Sequence, residues 1–284
     1  MRSVRSVISE PFFLDTPSGR LFAVHHRPAD AARTRGQVLC APPFNEEMNR
    51  CRSMMTLQAQ AFAKIGFGTL VLDLLGTGDS EGRFVDARWP LWLSNLSAGK
   101  VWLDAQAGGC NVIWGIRLGA ILAACVQAAA ADPRVALVLW QPVTDGKSHL
   151  TQFLRVRIAA NMDRTDVARE TTASMRETLT GGQPVEVAGY EIHPELAAAI
   201  DAAQLTQHTL APGTHMLWLE NASAEATELA PASQLVLARW PGQQVLAAGQ
   251  VFSGPAFWQL HERVVAPSAI EQTTAWLDAL AASK

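Results

Sequence analysis

Short apolar runs alternate with amphipathic stretches along most of the chain, and the alternation predicts strands and helices in turn. Phe12–Leu14 and Leu21–His25 flank the turn-forming tetrapeptide Thr16-Pro17-Ser18-Gly19 and predict a β-hairpin. Gln37–Ala41 (QVLCA) is the first buried strand, and it stops at Pro42-Pro43. From Glu46 to Ile65, one helical face carries Met54, Leu57, Ala61, Phe62 and Ile65. Glu46 and Glu47 lie in the first turn, where the helix dipole favours negative charge, and Gly66 closes the helix. Thr69–Leu74 (TLVLDL) predicts a second buried strand running into Gly76-Thr77-Gly78-Asp79-Ser80. A helix follows over roughly Trp89 to Ala107, with Trp92, Leu96 and Leu103 on one side, and Gly108-Gly109 stops it. Val135–Trp140 (VALVLW) is another buried strand.

From Asp145 to about Leu210 the pattern becomes polar and mostly helical, with alternation suggesting a small hairpin between Gly181 and Tyr190. An insertion of that length is too long for an ordinary connection and predicts a cap over 145–210, between core parts 1–144 and 211–284. The core resumes at His215–Leu219 and near Gln244–Ala247, and Pro267 and Ser268 open a last helix, with Glu271 completing a capping box. Strands that are continuous apolar runs, alternating with helices, predict an α/β protein: a mainly parallel sheet covered on both faces.

The centre of this pattern is Cys110 to Cys125, CNVIWGIRLGAILAAC, which reads as strand, sharp turn and small-residue helix. Glycines at 115 and 119 flank Arg117. That spacing suits a nucleophile elbow, whose central residue takes a strained conformation and whose neighbours two positions away have no room for side chains. Gly76-x-Gly78 alone lacks the third glycine of a dinucleotide turn and the Lys of a phosphate loop.

Charge and cysteines narrow the class. The net charge of -3 gives no electrostatic case for nucleic acid. The first residues, MRSVRSVISEPFF, lack the apolar core of a secretory signal, and no run approaches the ~20 apolar residues of a membrane span. The four cysteines show no CxxC pairing and read as reduced thiols of a cytoplasmic protein. Nine Trp against one Tyr, several near strand ends, hint at an apolar pocket. Nothing in the sequence calls for a cofactor or a metal.

Three motifs in order resemble the α/β-hydrolase fold over essentially the whole chain. Pro42-Pro43-Phe44 stands where that family places its oxyanion loop, Asp73-x-x-Gly76-x-Gly78-x-Ser80 matches the loop after its next strand, and Gly115-x-Arg117-x-Gly119 stands at the elbow. Within the fold the chain looks like the hydrolase-like proteins encoded with bacterial exosortase A systems, second type. The carrying residues are Ala41-Pro42-Pro43-Phe44-x-Glu46-Glu47-Met48-Asn49-Arg50, Trp114-Gly-x-Arg-Leu-Gly119 and Val187-Ala188-Gly189-Tyr190. The resemblance implies an α/β-hydrolase fold with a helical cap, and an association with exopolysaccharide production and protein sorting at the cell envelope. A protein partner in such an assembly is then expected, and a homo-oligomer is left open.

In the serine hydrolases of that fold the elbow carries Ser, sometimes Cys or Asp. Arg117 cannot replace it, because a guanidinium has donors and no lone pair with which to attack a carbonyl. His261, after the last strand, and Glu220 or Asp145, after intervening strands, occupy the order expected of a base and an acid. His261 also reads as a histidine at the start of a surface helix, the commoner case, and either acid as a solvated loop carboxylate. Leu118 and either Phe44 or Asn45 would supply oxyanion N–H donors, since prolines 42 and 43 have none. Cys51, between Arg50 and Arg52, is an activated thiol, or else a buried small apolar residue or an inert surface thiol. Arg117 itself either holds an anionic or acyl-type small molecule at a helix start, or forms a structural bridge to Asp145, Glu220 or Glu46. Three functions follow: a binding protein without serine-hydrolase activity, an esterase or thioesterase using water activated by His261, or a structural partner in an envelope-polysaccharide assembly.

Overall fold

The computed structural model describes residues 7–162, 170–238, 240 and 244–283. Residues 1–6, part of the stretch read as lacking a secretory core, and 163–169, within the expected cap, lie outside them. In chain order the elements are β1 (Val7–Thr16), β2 (Gly19–Pro28), β3 (Gly36–Ala41), α1 (Glu46–Lys64), β4 (Phe67–Leu72), α2 (Trp89–Asp104), β5 (Cys110–Ile116), α3 (Gly119–Ala130) and β6 (Ala136–Trp140). They continue with α4 (Gly146–Ala160), α5 (Thr172–Thr180), β7 (Val185–Val187), β8 (Tyr190–Ile192), α6 (Pro194–Ala202), β9 (His215–Asn221), α7 (Pro231–Ala238), β10 (Leu246–Phe252) and α8 (Pro267–Ala282).

Eight strands form one sheet in the order β1-β2-β4-β3-β5-β6-β9-β10. β2 runs antiparallel to both β1 and β4, and the remaining pairs are parallel. Alternation along each strand divides the core. Val38, Cys40, Val112, Trp114, Val138 and Trp140 face α1 and α8, while Leu39, Ala41, Ile113, Leu137 and Leu139 face α2, α3 and the segment inserted between β6 and β9. Both faces are therefore covered, which is why these strands read as unbroken apolar runs. Among the described residues no helix is long and apolar enough to cross a membrane.

Several local expectations change. Trp114 and Trp140 are core fillers packed ring to ring at 4.8 Å, with Trp140 Nε1 donating to Thr273 Oγ1, so they line no pocket. Ser268 is not a helix cap: Ala266 is the N-cap of α8, without a side-chain hydrogen bond, and Ser268 Oγ accepts from Gln272 instead. The last strand lies later than Gln244–Ala247, at Leu246–Phe252, on the sheet edge. Leu57 is only partly buried and faces outward from α1, whose sheet side is built from Cys51, Met54, Met55 and Phe62.

The inserted segment packs through Leu150, Leu154, Met175, Leu179, Leu196 and Ile200 onto the same cluster as α2 and α3. Its hairpin pairs Val185 with Ile192 and turns at Ala188 and Gly189, both at positive φ (51° and 84°). From that turn Tyr190 reaches α1, where its hydroxyl accepts a hydrogen bond from Asn49 Nδ2 at 3.2 Å.

Candidate functional site

The elbow is built as its glycines predict. Arg117 sits between β5 and α3 at φ 55°, a left-handed conformation that costs an L-residue about 1–2 kcal/mol. Its amide donates to Trp140 O at 3.0 Å and its carbonyl accepts from Val143 N at 3.1 Å, so the neighbouring chain fixes the strained turn from both sides. A Cβ on Gly115 would lie 2.6 Å from Ala120 Cα, and one on Gly119 would lie 2.3 Å from Ala41 O. Only glycine lets strand, turn and helix come this close.

The Arg117 side chain is committed to the protein. Nε donates to Glu47 Oε1 at 3.0 Å, Nη1 donates to Gln141 O at 3.2 Å, and the guanidinium carbon lies 5.5 Å from the Trp258 ring centre. The partner is thus Glu47, and not Asp145, Glu220 or Glu46; Glu46 pairs with Arg50. Both members are largely buried, with side-chain exposures of 14% and 18%. Burial raises the Glu47 pKa, and the Arg117 charge and hydrogen bond oppose the rise. Gln141, at φ 40°, is a second left-handed residue beside the guanidinium, and Asn45, at φ 49°, begins α1 as a third. Strained residues of this kind cluster at active sites and ligand clamps.

The oxyanion-loop residues are in place but enclosed. The backbone N–H groups of Phe44, Asn45 and Leu118 meet no acceptor among the described residues, and the buried Asn45 side chain bonds to no protein group through either Oδ1 or Nδ2. Phe44 fills the adjoining space. Its ring lies 5.1 Å from Phe153 and 5.7 Å from His149, both on α4, and 6.0 Å from Trp92. What remains between the loop and the start of α3 is a void of about 10 Å³, room for about one water. His149, contributed by α4, is 7% exposed with Nε2 unpaired; burial, reinforced by the Arg117 charge, takes its pKa down to about 3, so it is neutral.

The remaining candidates are not brought together. His261 is exposed, with Nε2 3.4 Å from Arg50 Nη2. Glu220 is buried and accepts from Trp218 Nε1, Ala230 N and Ser233 Oγ, which ties it to the start of α7. Asp145 caps α4 through Ser148 N and accepts from Gln204 Nε2, whose hydrogen bond holds its pKa below the usual carboxylate range. No hydrogen bond among the described residues joins His261 to either acid. Cys51 is fully buried, and burial, helped by the Glu47 charge, pushes its thiol well above the ordinary value, so it is an inert core residue.

The loop after β4 shows the same self-satisfaction. Asp73, 1% exposed, takes both guanidinium nitrogens of Arg52 at 2.7 and 2.8 Å and the amide of Asp79. A Cβ at Gly78 would fall 1.9 Å from its Oδ2. Ser80 Oγ donates to Asp73 O and accepts from Phe22 N, locking the loop to β2.

Sequence reasoning missed Glu47 as the partner, together with Gln141 and His149. Glu47 carried a weak signal, because it adjoins Glu46 at the start of α1 and only the rotation of the helix decides which of the two faces the sheet.

No family model and no curated protein sequence matches this chain. Solved structures do. The chain is similar to Est1E from Butyrivibrio proteoclasticus with ferulic acid bound, at 14% identity over 95% of this chain and 97% of that one, with a TM-score of 0.63. It is similar to alpha/beta hydrolase domain-containing protein 10 from mouse, at 13% identity over 95% and 98%, TM-score 0.55. The thioesterase domain from the curacin biosynthetic pathway matches at 12% identity over 96% and 99%, TM-score 0.51. Identities this low speak to architecture, and together with the strand order they establish that the chain has the α/β-hydrolase fold.

Proposed function

We propose that this chain is an α/β-hydrolase-fold protein without serine-hydrolase activity, which serves by binding an anionic or acyl-type small molecule. The observation that carries the absence of serine chemistry is the elbow side chain: Arg117 offers no nucleophile and is already held by Glu47 and the Gln141 carbonyl, so a bound anion would have to be met by other cations. The segment 145–210 acts as the cap, with His149 and Phe153 pressing on Phe44 over the old reaction site. Hydrolysis through water activated by His261 has less support, since that imidazole is exposed beside Arg50. The motifs at 41–50, 114–119 and 187–190 favour a cytoplasmic member of an exosortase A-associated, exopolysaccharide-linked set, with a protein partner there.

A fluorophosphonate probe should leave the protein unlabelled, and a panel of p-nitrophenyl esters and acyl thioesters should turn over no faster than in buffer. Labelling of any serine, or turnover lost in His261→Ala, would overturn the reading.

A further inference from the structure

The expected anion site at Arg117 is closed by Glu47, yet the cations next to it on α1 face open space. A cleft of about 530 Å³, within the ordinary range for small-ligand sites, lies between the outer side of α1 and residues 261–263. We infer that this cleft, walled by Arg50, Arg52 and Arg263, binds a sugar carrying a phosphate or carboxylate group.

The argument starts from how the guanidinium groups are held. Arg52 is clamped in two-pronged fashion by Asp73, which is buried behind it, so the carboxylate fixes the guanidinium without itself lining the cleft. Arg50 is anchored to Glu46 at 2.8 Å and to the carbonyls of Trp258 and Gln259, which joins α1 to the opposite wall. Two cations are therefore preorganised, and an incoming anion need not order them. Arg263, exposed on the far wall, has no acidic partner among the described residues. His261 adds a further donor, and Glu262 is the one carboxylate on the lining.

The uncharged groups point to the rest of the ligand. Thr56 and Gln60 bring a hydroxyl and an amide group to the same wall. Leu57 offers an apolar surface of the kind a sugar ring face packs on. Cations at the rim, neutral donors along one side and a single apolar contact suit a hydroxyl-rich anion better than an acyl chain.

This inference deepens the ligand class of the binding function above, but it does not depend on the elbow being silent. The test is calorimetric titration of the full chain with glucose-6-phosphate, glucuronate and neutral glucose at low and moderate salt. One or both anions should bind, more weakly as salt rises, and glucose should not. The tighter of the two identifies the phosphate or the carboxylate as the recognised group. Arg263→Glu should weaken binding by about ten- to a hundredfold, the worth of one charge-assisted hydrogen bond, with an unchanged melting temperature. Glu262→Gln should tighten it several-fold by removing the opposing charge, on the order expected for one exposed charge pair. Failure of both anions to bind, equal binding of glucose, or indifference to Arg263→Glu would sink the assignment. Ester turnover would instead count against the silent elbow and leave the cleft standing.

Discussion

Helix α1 turns Glu47 and Cys51 toward the sheet and Arg50 and Arg52 away from it, and arginine behaves differently on the two sides. On the inner side Arg117 meets Glu47 under a lid of Phe44, His149 and Phe153, and the pair is consumed in filling the site. On the outer side Arg50 and Arg52 are equally paired, with Glu46 and Asp73, but their pairing fixes them at the edge of open space. Arg117 and Glu47 close a site because both are buried together, whereas Asp73, 1% exposed, lies behind the guanidinium of Arg52, 36% exposed, and so prepares one. The elbow geometry is also independent of the side chain it displays. Its strained residue and its glycines are imposed by close backbone packing, which does not depend on which side chain stands at 117.

The sharpest way to break this comparison is to remove one side of the inner pair. Arg117→Ala strands the Glu47 carboxylate, and stability should fall by about 3–5 kcal/mol, much of it recovered in Arg117→Ala with Glu47→Gln. The sign of its pH dependence follows from burial. With Arg117 gone, its charge and hydrogen bond no longer oppose the burial that raises the Glu47 pKa and only the weaker pull of the Arg50 charge remains, so in the folded variant the group keeps its proton to higher pH than in the unfolded chain. The variant is then best off below the ordinary carboxylate range, and the deficit grows as pH rises through the folded pKa. Denaturant titrations of the three proteins at neutral and mildly acidic pH check both points, and a single variant within error of the parent would show that Arg117 carries no structural load.

Next in size is Gly119→Ala. Its Cβ would meet the Ala41 carbonyl, which belongs to a central strand and cannot move aside, so a loss of about 2–3 kcal/mol is expected. A neutral result would mean that the elbow is not packed as described.

Why some of this was readable and some not is a matter of what a residue's neighbours decide. The hairpin, the strands at 37–41 and 136–140 and the elbow announce themselves because each is a short apolar run bounded by glycine, proline or a turn. β10 escaped because Leu246–Phe252 lies on the sheet edge with mostly exposed or half-buried positions, leaving no continuous run to read. The capping box at Ser268 failed because Pro267 already occupies the first turn, so the serine falls inside the helix. Trp114 and Trp140 looked like pocket walls because their ring size is legible, while the face of the strand they occupy against α1 and α8 is set only by pairing. The Glu47 contact spans 70 positions, and no local pattern records it.

An effect absent at neutral pH, and growing only on acidification, separates the cap from the outer cleft. His149 is held neutral, with its pKa down to about 3 by burial, whereas in the unfolded chain it returns to ~6.5. The unfolded state therefore takes a proton that the folded state refuses across this window. Stability is full above about pH 6.5 and declines toward pH 3, by about 1.4 kcal/mol per unit from this one group. His149→Gln should flatten the curve by that slope, leaving the parts due to His26, whose burial lowers it to about 4, and to His25 and His208, which burial also lowers. An unchanged slope in urea titrations at several pH values would mean that His149 protonates without cost and that the cap opens to let it.

The least conspicuous outcome is expected where a hydrolase would show the largest. Arg117→Ser returns a hydroxyl to the elbow, and combined with Glu47→Gln it leaves no buried charge unpaired, so the doubly changed protein should fold. A serine becomes a nucleophile only when a neutral imidazole takes its proton and a carboxylate holds that imidazole in place. Here His261 is exposed against Arg50, Glu220 is spent on Trp218, Ala230 and Ser233, and Asp145 is spent on Ser148 and Gln204. The remaining imidazole nearby, that of His149, is too weakly basic at its lowered pKa to serve. Phe44 also fills the space in front of the oxyanion donors, so an acyl group has nowhere to sit unless the cap lifts. Ester hydrolysis by this variant should stay at the buffer rate. Turnover tens of fold above the unmodified protein, on the order that a partly formed catalytic set supplies, would mean that the acid–base pair assembles when a serine is there to receive it, and that the arginine alone had silenced the site.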